Sequence, residues 1–168
     1  MDNALREKWA FGFQNRMNHG VHSLCDGNRN AIFYISSHSG VIYDYKNCTQ
    51  TIIRGHSDPI KCCVVSKDKK FIITCDSGKE SRIIIWDSRS GTPIKTIMNA
   101  HAHGINTVDI SADGQLVVTI GISTVHALSF PCSTLLSVHY PHHRIVRRFC
   151  TMLSLLFRTD RLANHLFE

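Results

Sequence analysis

The amino-acid sequence predicts an all-β fold: a partial β-propeller of about two to three blades, followed by an irregular or partly helical tail. Segments that begin at His56 and His101 match each other at an offset of 45 residues, and a weaker copy precedes them at an offset of 43. Apolar and polar residues alternate within each copy, as they do in strands with one buried side. A strand-rich unit of about 40–45 residues has the length of one propeller blade. The pattern is lost near residue 121, which predicts the tail.

The first copy is the weakest of the three. Val41–Asp44 resembles Ile84–Asp87, and another apolar stretch follows each of these segments. We therefore assign residues 20–54 to a first partial blade. Residues 1–19 are expected to form a lead-in segment before it.

The second copy, residues 55–100, is the best formed. It begins with Gly55-His56, contains Trp86-Asp87, and has polar turn residues between its apolar runs. Alternating apolar runs bounded by turn residues predict four strands. These are expected near Ile60–Val65, Phe71–Cys75, Ile83–Asp87 and Pro93–Ile97.

The third copy is predicted to start at residues 101–121 and to go no further. At the same spacing, the next Trp-Asp pair would fall where the chain has Pro131-Cys132. From Ile122 onward the sequence is rich in Ser, His, Leu and Arg, and lysine no longer occurs. We therefore predict that residues 122–168 are a non-repeat basic tail, translated from a shifted frame, a retained intron or an alternative exon.

The Gly-His and Trp-Asp pairs of the second copy resemble those of the WD-repeat family. In that family, a histidine before the first strand, a Ser or Thr on the second and the Trp on the third join one buried hydrogen-bond network. A buried imidazole and a buried indole N–H both need partners, so the implied role is structural and not that of a metal ligand or base. The family's network also includes an aspartate near the turn that follows, for which this chain offers Asp76 or Glu80. The residues assigned to the structural network are His56, Thr74, Trp86, Asp87, His101 and Thr119.

A narrower resemblance rests on the long connection from Cys75 to Arg82, which precedes Ile-Ile-Ile-Trp-Asp-Ser. Together with Trp9–Phe13 and Ser37–Asp44, it resembles the N-terminal propeller of the cilia- and flagella-associated WD-repeat proteins assigned to the calmodulin- and spoke-associated complex at radial-spoke bases. Microtubule-binding echinoderm-type WD proteins share part of this loop. The resemblance implies a non-enzymatic scaffold for cilium or flagellum motility, with axonemal proteins as partners and calmodulin as a further candidate. A generic WD-repeat or microtubule-associated adaptor is the alternative.

The sequence offers little for catalysis or for a cofactor. It contains neither a Gly-x-x-x-x-Gly-Lys-Ser/Thr loop for nucleotides nor a Gly-x-Ser-x-Gly nucleophile elbow. The histidine pairs His101-x-His103 and His142-His143 lack the paired cysteines of a zinc finger. We therefore expect no enzyme activity, no cofactor and no metal.

The distribution of charge limits the remaining candidate functions. The net charge is +6, and residues 122–168 contain five arginines and two acids. Residues 144–158 mix arginines with apolar side chains, so a basic helix that binds calmodulin or a membrane surface is an alternative function for the tail. Lys67, Lys69 and Lys70 share one turn with an aspartate, which favours a solvated loop over nucleic-acid binding.

Localisation is predicted from what the chain lacks. No apolar run is long enough to cross a membrane, and the first residues do not resemble a secretory signal. An odd number of cysteines, seven, favours reduced thiols. We expect the cytoplasm and cytoskeleton, with the resemblance indicating the axoneme of a cilium or flagellum.

Overall fold

The structure, a computed structural model, describes residues 8–78, 80–101, 104–121, 124–129 and 135–139. These residues form three four-stranded antiparallel sheets, and none of them is helical. Each sheet is a meander of consecutive strands, which we call blades 1, 2 and 3. The all-β partial β-propeller is therefore confirmed. Blade 1 contains β1 (Val21–Ser23), β2 (Ala31–Ser36), β3 (Ser39–Asp44) and β4 (Thr49–Arg54); blade 2 contains β5 (Ile60–Val65), β6 (Phe71–Asp76), β7 (Ile83–Asp87) and β8 (Pro93–Ile97); blade 3 contains β9 (Ile105–Ile110), β10 (Leu116–Gly121), β11 (Thr124–Ser129) and β12 (Leu135–His139).

The first hairpins of blades 2 and 3 close with the same turn, 45 residues apart. In blade 2, Ser66 Oγ donates to Asp68 Oδ1 at 2.7 Å and accepts from Phe71 N at 2.9 Å. In blade 3, Ser111 Oγ likewise donates to an Asp113 carboxylate oxygen. Short polar side chains that bond nearby backbone stabilise turns, so the repeated Ser-x-Asp sequence places both hairpins.

Successive residues of the middle strands pack into two different cores. Ile72 lies in the core between blades 1 and 2, whereas Ile73 lies in the core between blades 2 and 3. Because side chains alternate across a strand, a sheet buried on both faces needs a continuous apolar run. The first core is formed by Leu24, Ala31, Phe33, Ile35, Ile42, Ile53, Ile60, Cys63, Ile72, Ile84 and Trp86, and the second by Ile73, Cys75, Ile83, Ile85, Ala100, Ile105, Val108 and Val117.

Blade 3 continues beyond Gly121, so the predicted boundary at residues 121 and 122 has to be moved. Ile72 pairs with Trp86 in blade 2, and Val117, 45 residues after Ile72, pairs with Leu128 in blade 3. Leu128 thus takes the strand position of the tryptophan. Only residues 122 and 123 join β10 to β11, whereas residues 77–82 join β6 to β7. At this strand the projected spacing of 45 was therefore three residues too long.

The physical reason that blade 3 continues past Gly121 is that strand pairing uses backbone N–H and C=O groups. A strand can add to the edge of β10 without the Trp-Asp pair. The predicted irregular or helical tail is thus replaced by β11 and β12 at residues 124–129 and 135–139. Residues 140–168 lie outside the described residues, and the origin of the tail in a shifted frame or intron remains a prediction.

The lead-in segment packs on blade 1. Gln50 clamps Ala10: Ala10 N donates to Gln50 Oε1 at 2.8 Å, and Gln50 Nε2 donates to Ala10 O at 3.3 Å. Gln14 N donates to Ile35 O at 2.8 Å. The Trp9 ring meets Tyr43 edge-on, with centroids 5.9 Å apart. The segment therefore covers part of the face of blade 1 that points away from blade 2.

Candidate functional site

A buried hydrogen-bond chain ties blade 2 to the loop that enters it. His56 lies in the connection between β4 and β5, and its side chain is 1% exposed. The chain joins Trp86 Nε1 to Thr74 Oγ1 at 2.8 Å and Thr74 Oγ1 to His56 Nε2 at 2.6 Å. The structure thus brings together three residues that the sequence assigned to one network.

The fourth member is Asp76 and not Glu80. His56 Nδ1 lies 2.8 Å from Asp76 Oδ2, and the Asp76 side chain is 1% exposed. Glu80 is 68% exposed and pairs only loosely with Arg82, at 3.6 Å. Asp76 ends strand β6, so it precedes the turn where the family pattern places the carboxylate. Because of this position, the sequence alone left two candidates.

Asp76 also fixes the long connection between β6 and β7. Its Oδ1 accepts from Arg82 N at 2.7 Å, and its own N–H donates to Arg82 O at 3.1 Å. Arg82 Nη1 in turn donates to Gly55 O at 2.8 Å. One carboxylate therefore holds two loops together at the same end of the blade.

The bonding pattern assigns the proton on His56. Trp86 Nε1–H can only donate, so Thr74 Oγ1 accepts it. A carboxylate can only accept, so His56 Nδ1–H donates to Asp76. Burial lowers the pKa of His56, against the opposing effect of the Asp76 hydrogen bond and charge. Burial therefore favours the neutral imidazole, in which Nε2 accepts the hydrogen of the Thr74 hydroxyl.

Blade 3 repeats part of this arrangement. His101 is 1% exposed, and its Nε2 lies 2.9 Å from Thr119 Oγ1. Gly121 is the counterpart of Asp76 at the repeat spacing, and a Cβ placed there would lie 2.3 Å from His101 Nδ1. The ring of His101 therefore takes the space that a side chain at position 121 would need.

A serine that sequence reasoning did not single out connects the two networks. Ser81 is fully buried, and its Oγ donates to His101 O and accepts from His101 N, each at 2.9 Å. The long connection after β6 thus reaches the loop that enters blade 3. This gives its unusual length a structural role.

Asp87 does not belong to the network, contrary to the sequence assignment. Its Oδ1 accepts from Arg89 N at 2.9 Å and from Ser90 N at 2.7 Å. The Ser90 backbone N–H, the largest influence, lowers the pKa of Asp87. Asp44 holds the corresponding turn of blade 1 in the same way. Asp87 therefore stabilises the last hairpin of blade 2, as Asp44 does in blade 1, and does not take part in the buried chain.

An arginine bridge joins blades 1 and 2 on the opposite side. Arg29 Nη2 donates to Ser88 O at 2.6 Å, and Arg29 Nη1 donates to Ser88 Oγ at 3.2 Å. Ser88 N donates to Lys70 O at 2.8 Å. No local sequence pattern indicates this contact, because its partners are 59 residues apart.

The other sequence candidates contribute no assembled site within the described residues. There, no three His, Cys, Asp or Glu side chains are grouped to hold a metal ion. Lys70 pairs at the surface with Asp68, at 3.3 Å. No helix of membrane-spanning length and apolarity occurs in the part of the chain that the structure describes. His103, His142-His143 and the basic segment 144–158 lie outside the described residues.

The fold and the buried hydrogen bonds define a partial β-propeller in which side chains bond the entry loops to the middle strands. Residues 5–131 match the family model described as the CFAP251 N-terminal domain, so the chain belongs to that family. Its relatives include cilia- and flagella-associated protein 251 of Tetrahymena thermophila, 43% identical over 118 residues, of Chlamydomonas reinhardtii, 38% over 117, and of Mus musculus, 33% over 121. The localisation of the chain is accordingly the cilium or flagellum.

The match covers a small part of each relative. It includes 70–71% of this chain but 12%, 14% and 9% of these three proteins. The solved structure of U3-55K superposes with a TM-score of 0.59 at 16% identity, over 76% of this chain and 44% of that one. At this identity the likeness concerns the fold alone.

Proposed function

We propose that the chain is a non-enzymatic protein-interaction scaffold of the WD-repeat type that acts in the axoneme and supports motility of the cilium or flagellum. The observation that carries the proposal is a partial propeller with bonded entry loops in a chain of a cilia- and flagella-associated family. Partner binding here would depend on shape and hydrogen bonding, without turnover.

The buried chain supports a binding role because it makes the loops rigid. The connection that enters blade 2 is bonded through His56 to the middle strands, and the connection after β6 is bonded through Asp76 to the same histidine. Loops held in one conformation lose little entropy when a partner binds. A set of fixed loops at one end of adjacent blades suits a scaffold.

The same burial argues against a catalytic role for these residues. The side chains of His56 and Asp76 are each 1% exposed, and both ring nitrogens have protein partners. A general base must come within hydrogen-bond reach of its substrate. A substrate could reach this imidazole only after the blade opened.

The proposed partners are axonemal proteins, with radial-spoke-base components first. This choice comes from the resemblance to the ciliary WD-repeat proteins, and the relatives' names support a partner in the cilium or flagellum. Calmodulin is a further proposed partner, but the basic segment 144–158 that would bind it lies outside the described residues.

Co-sedimentation with isolated Tetrahymena axonemes tests the proposal. The labelled full chain should bind saturably, and the unlabelled matching segment of the Tetrahymena relative should compete with it. An equal mass of serum albumin is the control competitor. Binding that never saturates, or no binding under conditions where the Tetrahymena segment itself saturates, would contradict the proposal.

A further inference from the structure

A polar cavity of about 570 Å³ lies where the first strands of the three blades converge. Its wall includes His22 of β1, residues 61–64 of β5 and residues 106–109 of β9, together with the turn at residues 16–19. Each of these strands is an edge strand of its sheet. None of its wall residues belongs to the buried networks described above.

The cavity follows the backbone edges of these strands. Side chains of consecutive residues point to opposite faces, so four consecutive wall residues on β5 and four on β9 indicate contact along the strand edge. An edge strand presents unpaired N–H and C=O groups, which an extended peptide can pair with. The geometry therefore suits a peptide main chain.

The charges that face the cavity are mainly positive. Arg16 and Lys61 are exposed at its wall. Among the described residues, no carboxylate lies within ion-pair distance of Arg16 or Lys61. Asp109 is the acid on the described part of the wall. Two unneutralised cations on one wall attract an anionic ligand.

The wall chemistry favours a peptide over nucleic acid. Single-stranded nucleic acids bind by stacking bases on aromatic side chains, and the described wall residues include no Phe, Tyr or Trp. They do include amide, hydroxyl and imidazole groups beside the cations. These groups can bond both a peptide backbone and its carboxylates.

We propose that this cavity binds an extended acidic peptide segment, with the peptide backbone along the edges of β5 and β9 and its carboxylates at Lys61 and Arg16. The inference rests on the proposed function only in taking the chain as a protein-binding module. It specifies the chemistry of one segment of a partner protein, and it is tested with synthetic peptides instead of axonemes. Failure of the peptide test would therefore leave the axoneme result unaffected.

The test is fluorescence anisotropy of the full chain with a labelled octaglutamate peptide and with octaglutamine. We expect octaglutamate to bind at least tenfold more tightly, and Lys61→Glu or Arg16→Glu to weaken it at least fivefold. Lys46→Glu is the matched control, because Lys46 is an exposed lysine in the turn after β3 and makes the same change in net charge. It should change the affinity less than twofold.

Three results would overturn the proposal. Equal losses from Lys61→Glu and Lys46→Glu would show attraction by net charge alone. Equal binding of octaglutamate and octaglutamine would remove the role of the carboxylates. A uridine octanucleotide that competes more strongly than octaglutamate would assign the cavity to nucleic acid instead. Circular dichroism of each variant establishes that it is folded.

Discussion

Replacing Thr74 by Val should destabilise blade 2 strongly, because one hydroxyl serves two buried partners. Thr74 is fully buried, and its Oγ1 bonds both Trp86 Nε1 and His56 Nε2. Valine keeps the shape and leaves both groups without a partner. An unsatisfied buried group costs about 1–3 kcal/mol, so the two together should lower the free energy of unfolding by about 2–6 kcal/mol.

Urea unfolding of the full chain in a Trp9→Phe background measures this loss through the fluorescence of Trp86. Thr119→Val removes one comparable bond, to His101, and should cost about half as much. Thr96→Val, at an exposed position on β8, should cost less than about 0.5 kcal/mol. If Thr74→Val costs no more than Thr96→Val, the hydroxyl does not hold the network together and the reasoning fails.

Three further predictions concern pH, close packing and the contact between blades. Burial lowers the pKa of His56 in the folded state, so the unfolded chain binds more protons as the pH falls. The contribution of His56 to stability should be complete above about pH 6.5 and should decrease below it. When urea midpoints are compared between about pH 7.5 and about pH 5.5, His56→Gln should therefore show a smaller decrease than the unchanged chain. Gly121→Ala should lower the free energy of unfolding by about 1–3 kcal/mol, because the new Cβ would collide with the buried imidazole of His101. Gly20→Ala is the control in the same urea assay. Its Cβ would make ordinary van der Waals contacts, so it should lower the free energy of unfolding clearly less. Arg29→Ala should speed proteolysis between blades 1 and 2 by removing two bonds to Ser88, and an unchanged cleavage rate would count against that bridge.

The repeat could be predicted from the sequence because the same pattern of residues occurs in more than one copy along the chain. The spacing of 45 residues, the turn at Ser66 and the polar residues His56, Thr74 and Trp86 all recur or have family counterparts. The four predicted strands of blade 2 lie at the predicted positions, within one residue. Local alternation and turn chemistry determined these features, so no long-range contact was needed to find them.

What the sequence could not show depends on contacts distant along the chain or on a change in loop length. Asp76 was undecided because its partner lies 20 residues away, and Asp87 was misassigned because adjacency to the tryptophan does not say which way its side chain points. The last two strands of blade 3 were missed because a shorter connection after β10 shifted them against the repeat. The clamp of Gln50 on Ala10 spans 40 residues and has no local pattern.

The central structural claim is that this chain forms a rigid partial propeller closed internally by the buried bonds around Thr74. Hydrogen–deuterium exchange of the two tryptophan indole N–H groups, followed by NMR, tests it most directly. Trp86 is 2% exposed and bonded, whereas Trp9 is 39% exposed. We predict that the Trp86 signal persists for hours and that the Trp9 signal disappears within the first spectrum. Equal, immediate exchange of both signals would contradict the account.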